Sequence, residues 1–168
     1  MRGDTKLWIR GANGIGKSTL LKTLMGIIPP LSGSFAFHIA ARPAYLEQDL
    51  KFREQDINAF NYISDCFPRF NQKEIRSQLA RVGIKGEMSL QNVKTMSGGE
   101  QVRIRLLTIM NVTSNILILD EPTNHLDVNA KESLQKAIAD YEGAVILVSH
   151  DKAFAESVCD KTLTLKQL

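Results

Sequence analysis

The chain has 168 residues, enough for one domain with a proper core and too few for two comfortable ones. Its apolar share of 43% and charged share of 23% are ordinary for a globular fold, and a net charge of +3 neither requires nor excludes a nucleic-acid partner. Cys66 and Cys159 lack metal-like spacing, which points to a reduced cytoplasmic setting. The longest apolar runs, Ile116 to Leu119 and Ala144 to Val148, are too short to span a bilayer, and no signal-peptide segment comes after Met1-Arg2-Gly3-Asp4.

Lys6 to Arg10 reads as a strand that runs into Gly11-Ala12-Asn13-Gly14-Ile15-Gly16-Lys17-Ser18-Thr19, a fit to G-x-x-x-x-G-K-[ST]. A polyphosphate needs many N–H donors close by, so its cradle favours residues without Cβ, here Gly11, Gly14 and Gly16. The helix expected to open at Lys17 adds unpaired N–H groups and a positive dipole end. Lys17 brings a mobile positive charge for the β- and γ-phosphates, and the Ser18 hydroxyl is a hard oxygen ligand for Mg²⁺. The helix should stop near Gly26, and Pro29-Pro30 prevent its continuation. Ser34 to Ile39 alternates like a strand, and Pro43 interrupts before a short strand Ala44-Tyr45-Leu46.

Residues 48–96 change character, being polar and helical without a convincing strand. Ile57, Phe60, Ile63 and Phe67 share a helical face after Asp56 as N-cap. Ile75, Leu79 and Val82 share another after Asn71, with Glu74 completing a capping box and Gly83 ending the helix. This block reads as a small helical subdomain inserted into an α/β core formed by residues 1–47 and 97–168. A further helix begins at Met96-Ser97-Gly98-Gly99-Glu100-Gln101, with Val102, Leu106, Ile109 and Met110 on its apolar face. Ile116 to Leu119 and Ala144 to Val148 are continuous apolar runs, as expected of strands covered on both faces of a parallel sheet. Between them lies a helix over 129–141 with Leu134, Ala137, Ile138 and Tyr141. A short helix over 151–158 and a strand from Thr162 to Leu165 complete the chain. Strands alternating with helices, with polar residues at the strands' carboxyl ends, define an open α/β sheet with its site along that edge.

Three groups carry chemistry. Asp120-Glu121 delivers two carboxylates at a sheet edge, one suited to Mg²⁺ and the next to orienting or deprotonating an attacking water. The plain alternative is a strand that ends in two solvated acids. Ser97-Gly98-Gly99-Glu100 has the spacing of a capping box, and the same hydroxyl, glycines and helix N-terminus can form a second anion site. His150 ends the second buried run, where it serves either as a structural histidine or as a phosphate contact. His125 and Asp127 fit a turn with an N-cap, His38 a strand surface, and Arg103 and Arg105 a solvated helix face.

The order of these motifs resembles the nucleotide-binding domain of ATP-binding-cassette ATPases, a P-loop NTPase fold. The string Asp120-Glu121-Pro122-Thr123-Asn124-His125-Leu126-Asp127 is similar to that of the ABC-F family, ATPases that act on the ribosome in the cytoplasm. The resemblance covers nearly the whole chain and implies ATP and Mg²⁺ as ligands. The phosphate loop (Gly11, Asn13, Gly14, Gly16, Lys17, Thr19) would then bind phosphates, with Ser18, Gln48 and Asp120 at Mg²⁺. Glu121 would be the general base, His150 would touch the γ-phosphate, and Gln48 would link the site to the helical block. Asp127 would lie between two paired domains, and Ser97, Gly98, Gly99 and Gln101 would face ATP held by the opposite domain.

The chain departs from that family in places. Family domains have strands and an adenine-stacking aromatic before the loop, whereas ten residues precede Gly11 here, and Trp8 suits the core better than an adenine platform. One domain with a short helical block suggests a fragment of the second domain of an ABC-F protein. Two other readings are the nucleotide-binding subunit of a membrane transporter, with no membrane insertion of its own, and a module with little turnover alone. The partners expected are a second such domain and, for the longer protein, ribosomal RNA or tRNA.

Overall fold

A computed structural model describes residues 3–46, 52, 56–124 and 126–166. Among these, five strands form one parallel sheet in the order β2-β3-β4-β1-β5, where β1 is Lys6–Arg10, β2 Pro43–Leu46, β3 Ile116–Asp120, β4 Ala144–Val148 and β5 Lys161–Thr164. β4 lies between β3 and β1, with Asp120 beside Val148 and Ile9 beside Val148 across the two ladders. Since all strands run the same way, the segments that leave β1, β3 and β4 must meet at one edge.

The described residues divide into two compact units, one of residues 1–48, 113–124 and 135–168 and one of 49–112 and 125–134. In the first, Ile9, Leu21, Ile118, Ile146 and Val148 form a core between the sheet and helix α1 (Lys17–Leu24). Both central apolar runs are buried as expected, β4 along its whole length. Asn115 aligns the entry to three strands. Its side chain accepts from Arg42 N–H (2.7 Å) and donates to Ala40 C=O (2.8 Å), while its own carbonyl accepts from Ala144 N–H (3.0 Å). Gly143 sits against that carbonyl so closely that a Cβ would stand 2.6 Å from Asn115 O and 2.6 Å from the Tyr141 ring.

In the second unit, helices α2 (Ala59–Cys66), α3 (Gln72–Arg81) and α4 (Gly98–Asn111) enclose Ile63, Ile75, Leu79, Ile84, Val93, Ile104 and Leu107, each at most 4% exposed. Burial of such a side chain stabilises the fold by about 1.5–3 kcal/mol. Because Ile104 and Leu107 close this core, α4 belongs to the helical unit, which is larger than the block expected over 48–96. The capping boxes Asn71–Glu74 and Ser97–Glu100 are both formed.

Other expectations fail for identifiable reasons. Ser34 to Ile39 pairs with no strand among the described residues; Phe35 and Phe37 meet edge to face at 6.2 Å instead. Asp56 does not cap α2. Asn58 does, with its Oδ1 accepting from Asn61 N–H at 2.7 Å, so the helix starts later. Met110 is exposed and Ile104 buried, since α4 turns toward α2 and α3 along a different stripe. Arg105 is not a solvated charge: it donates to Tyr62 OH (2.9 Å) and lies 4.2 Å from the Phe52 ring centre. Pro43 begins β2 rather than breaking it, and β5 starts at Lys161. Helices α5 (Val128–Asp140) and α6 (Lys152–Val158) fall close to their expected places.

Candidate functional site

The loop after β1 tightens into α1 through two glycines in the left-handed region, Gly14 (φ 76°) and Gly16 (φ 99°). At Gly16, the residue that caps α1, that conformation strains any residue with a Cβ. The Lys17 side chain is buried and folds back over the loop, where Nζ donates to the carbonyls of Gly11 and Ala12, both at 3.0 Å. No acidic residue lies in the first turn of α1, so the positive end of the helix is not neutralised from within.

β3 ends on Asp120, which is 1% exposed. Tyr45 OH lies 3.4 Å from its Oδ2, while Oδ1 is buried without a hydrogen-bond partner. Glu121 comes next with φ 51°, the one non-glycine residue at positive φ among those described. Such a conformation costs on the order of 1–3 kcal/mol and persists where neighbours over-determine it. Here the neighbours are on the turn after β4. Glu121 N–H donates to Val148 C=O (2.9 Å), Glu121 Oε2 accepts from His150 N–H (3.0 Å), and the His150 imidazole Nε2 lies 3.2 Å from Glu121 Oε1.

These pieces line one cleft of about 470 Å³, formed by Asn13, Gly14, Gly16, Lys17, Ser18 and Thr19 on one side and Glu121, Val148 and His150 on the other. The sheet order is the cause: the loop, the carboxylates and the histidine come after adjacent strands. The cleft suits a polyphosphate with Mg²⁺. A buried carboxylate oxygen without a donor is costly unless a cation or its bound water meets it, as Asp120 Oδ1 would require, and Ser18 in the cleft lining adds a hard oxygen.

The remaining expected site residues fare differently. Gln48 and His125 lie outside the described residues. Ser97 and Gly98 are exposed at the N-terminus of α4, in the second unit, and the Ser97 hydroxyl is engaged with Glu100 Oε2 at 2.8 Å. Gln101 does not stand ready to face another domain. It is 8% exposed and its amide is used at both ends, Oε1 accepting from Phe52 N–H (3.2 Å) and Nε2 donating to Met96 C=O (2.9 Å). Asp127 caps α5, accepting from Ala130 N–H at 2.7 Å. Trp8 is core, 6% exposed, and its indole N–H donates to Ser149 C=O at 3.2 Å. Sequence reasoning missed Thr123 and Ser149, whose buried hydroxyls are 3.1 Å apart behind the Glu121–His150 pair. The signal available was their position, each close to a predicted site residue.

The parallel sheet with its flanking helices is that of a P-loop ATPase domain. The family model described as ABC transporter matches residues 1–124, and the chain belongs to that family, whose domains hydrolyse ATP. It is 40% identical over 162 residues to the uncharacterized ABC transporter ATP-binding protein YfmM of Bacillus subtilis, an alignment covering 96% of this chain and 31% of that protein. It is 38% identical over 157 residues to ATP-binding cassette sub-family F member 3 of the mouse, covering 93% of this chain and 22% of that one. Among solved structures it resembles a chain in the complex of archaeal ribosomal stalk protein aP1 with the archaeal ribosome recycling factor aABCE1. The TM-score is 0.83 at 25% identity, covering 100% of this chain and 33% of that one. The chain thus spans about a third or less of the length of these relatives. None of its described helices is long and apolar enough to cross a membrane.

Proposed function

We propose that the chain is the ATP-binding and ATP-hydrolysing domain of a cytoplasmic ABC-F factor that works on the ribosome through ATP-driven pairing of two such domains. The observation that carries the hydrolytic part is the single cleft that joins Lys17, Ser18 and Thr19 to Glu121 and His150. In this reading Gly11, Asn13, Gly14, Gly16, Lys17 and Thr19 hold the phosphates, and Ser18, Asp120 and Gln48 hold Mg²⁺. When bound, Mg²⁺ neutralises charge on the β- and γ-phosphates. Glu121 takes the proton of the attacking water, and the His150 imidazole, 3.2 Å from its Oε1, orients the carboxylate for that role. His150 presents its imidazole between Glu121 and the γ-phosphate.

Two supports favour pairing and the ribosome. Ser97 and Gly98 are exposed at a helix N-terminus, the kind of surface that receives an anion from a second domain. The Asp120–Asp127 string and the similarity to sub-family F member 3 favour the ABC-F branch over a transporter subunit. The test has two parts. Turnover per chain should rise with protein concentration, and a rate independent of both concentration and Glu121 would overturn the hydrolytic reading. Ribosomes should sediment with the Glu121→Gln chain in the presence of ATP. Failure to do so, with co-purification of a transmembrane partner instead, would overturn the ribosomal one.

A further inference from the structure

His150 is in an awkward position for a residue with a defined task. Its side chain is 55% exposed, so packing does not hold the imidazole in place. The surroundings of its backbone are, by contrast, tightly specified. Ser149, the preceding residue, is 4% exposed and makes three hydrogen bonds that radiate in different directions. Its hydroxyl bonds the Thr123 hydroxyl (3.1 Å) on the turn that carries Glu121, and accepts from Asp151 N–H (3.1 Å) on the far side of His150. Its carbonyl accepts from the Trp8 indole N–H (3.2 Å) on β1, the strand that feeds the phosphate loop. Asp151 in turn accepts from Phe154 N–H (3.1 Å) and caps α6, so the turn is anchored at both ends.

We infer that Ser149, held by Thr123 and Trp8, is a positioning residue that aims the His150 N–H and imidazole at Glu121. The inference rests on the proposed roles of Glu121 and His150. Torsional freedom at the turn is what must be removed. A turn residue with an exposed side chain can rotate about its flanking backbone, and the Glu121–His150 contact also has to hold Glu121 at φ 51°. Three bonds on the neighbouring residue, two of them buried, remove that rotation, and the two buried ones run to elements that already carry part of the site. A catalytic pair misplaced by a fraction of an ångström loses rate while phosphate binding is largely kept, because the loop's glycines and Lys17 make their own contacts.

The test uses the full chain and the variants Ser149→Ala, Thr123→Val, Thr123→Ser and Trp8→Phe, the last of which keeps a ring but loses the N–H. The amide of His150, which donates to a carboxylate, should give a low-field, slowly exchanging proton resonance without nucleotide. Exchange should speed up about tenfold or more in Ser149→Ala, Thr123→Val and Trp8→Phe, and recover in Thr123→Ser, which restores the hydroxyl. At protein concentrations that support turnover, kcat should fall about tenfold with KM for ATP within about twofold, the signature of a lost transition-state interaction. A thermal melt establishes that each variant is folded. An unchanged His150 amide in folded Ser149→Ala would overturn the inference, as would equal behaviour of Thr123→Ser and Thr123→Val. Undiminished turnover in Glu121→Gln would instead overturn the proposed site, and the two failures are thereby separate.

Discussion

The imidazole Nε2 of His150 lies 3.2 Å from Glu121 Oε1, and the His150 N–H donates to the other oxygen of the same carboxylate at 3.0 Å. Both oxygens of the Glu121 carboxylate are therefore met by a single residue of the neighbouring strand's turn, at the wall of the cleft. Replacing it by Gln keeps the shape and removes the carboxylate proposed as the base. Turnover in Glu121→Gln is expected to fall at least about a hundredfold, the usual worth of a positioned general base, while nucleotide binding measured by fluorescence titration persists.

Lys17 tests the loop itself. At about one hundred times its dissociation constant, nucleotide should stabilise the wild-type chain by about 2.7 kcal/mol. For a chain of this size that corresponds to a rise of roughly 5–10 °C in melting temperature. Lys17→Ala loses the charge and both carbonyl contacts, at Gly11 and Ala12, and the nucleotide-dependent rise should vanish. A melt with and without Mg-ATP reads this directly.

Gly143→Ala addresses the fold rather than the chemistry. A Cβ there would stand 2.6 Å from Asn115 O, a backbone atom that also accepts from Ala144 N–H. Backbone must shift to admit the methyl group, so a loss of about 1–3 kcal/mol is expected by urea denaturation. Gly3→Ala, where nothing lies within 4 Å, should be close to neutral and serves as the control.

Cys159 supplies a pH dependence. Burial, with a smaller contribution from the Asp160 carboxylate, pushes its thiol from 9.0 up to about 11. Its folded-state value is thus raised, so the unfolded chain ionises first. The contribution is fully present below pH 9 and is lost as pH rises through 11. Tyr62 and Cys66 are raised in the same direction, chiefly by burial. Denaturation midpoints should therefore fall between pH 9 and 11, and Cys159→Ser should fall less steeply than wild type over that window.

Much of this was legible in residue order. The loop from Gly11 to Thr19, the strands ending on Asp120 and Val148, and the capping boxes at Asn71 and Ser97 all rest on local physics. A glycine that must reach positive φ, a run of apolar residues covered on both faces, or a side chain bonding a backbone three residues away needs no distant partner to be recognised. Features that depend on what lies across the fold are not legible in this way. Ser34 to Ile39 alternates correctly yet pairs with no strand among the described residues. Arg105 has the look of a surface charge and instead lies against Phe52 and Tyr62, and Gln101 spends its amide inside its own unit.

The residue types and spacings alone determined that a phosphate loop, a carboxylate pair and a histidine would end successive elements of an α/β chain. They could not say that β4 would lie between β1 and β3, because strand order is set by long-range ladders and not by neighbours in sequence. That order alone brings Lys17, Glu121 and His150 to one cleft. It also lets Trp8, from a strand well over a hundred residues away, reach the carbonyl of Ser149 and hold the turn in which His150 sits.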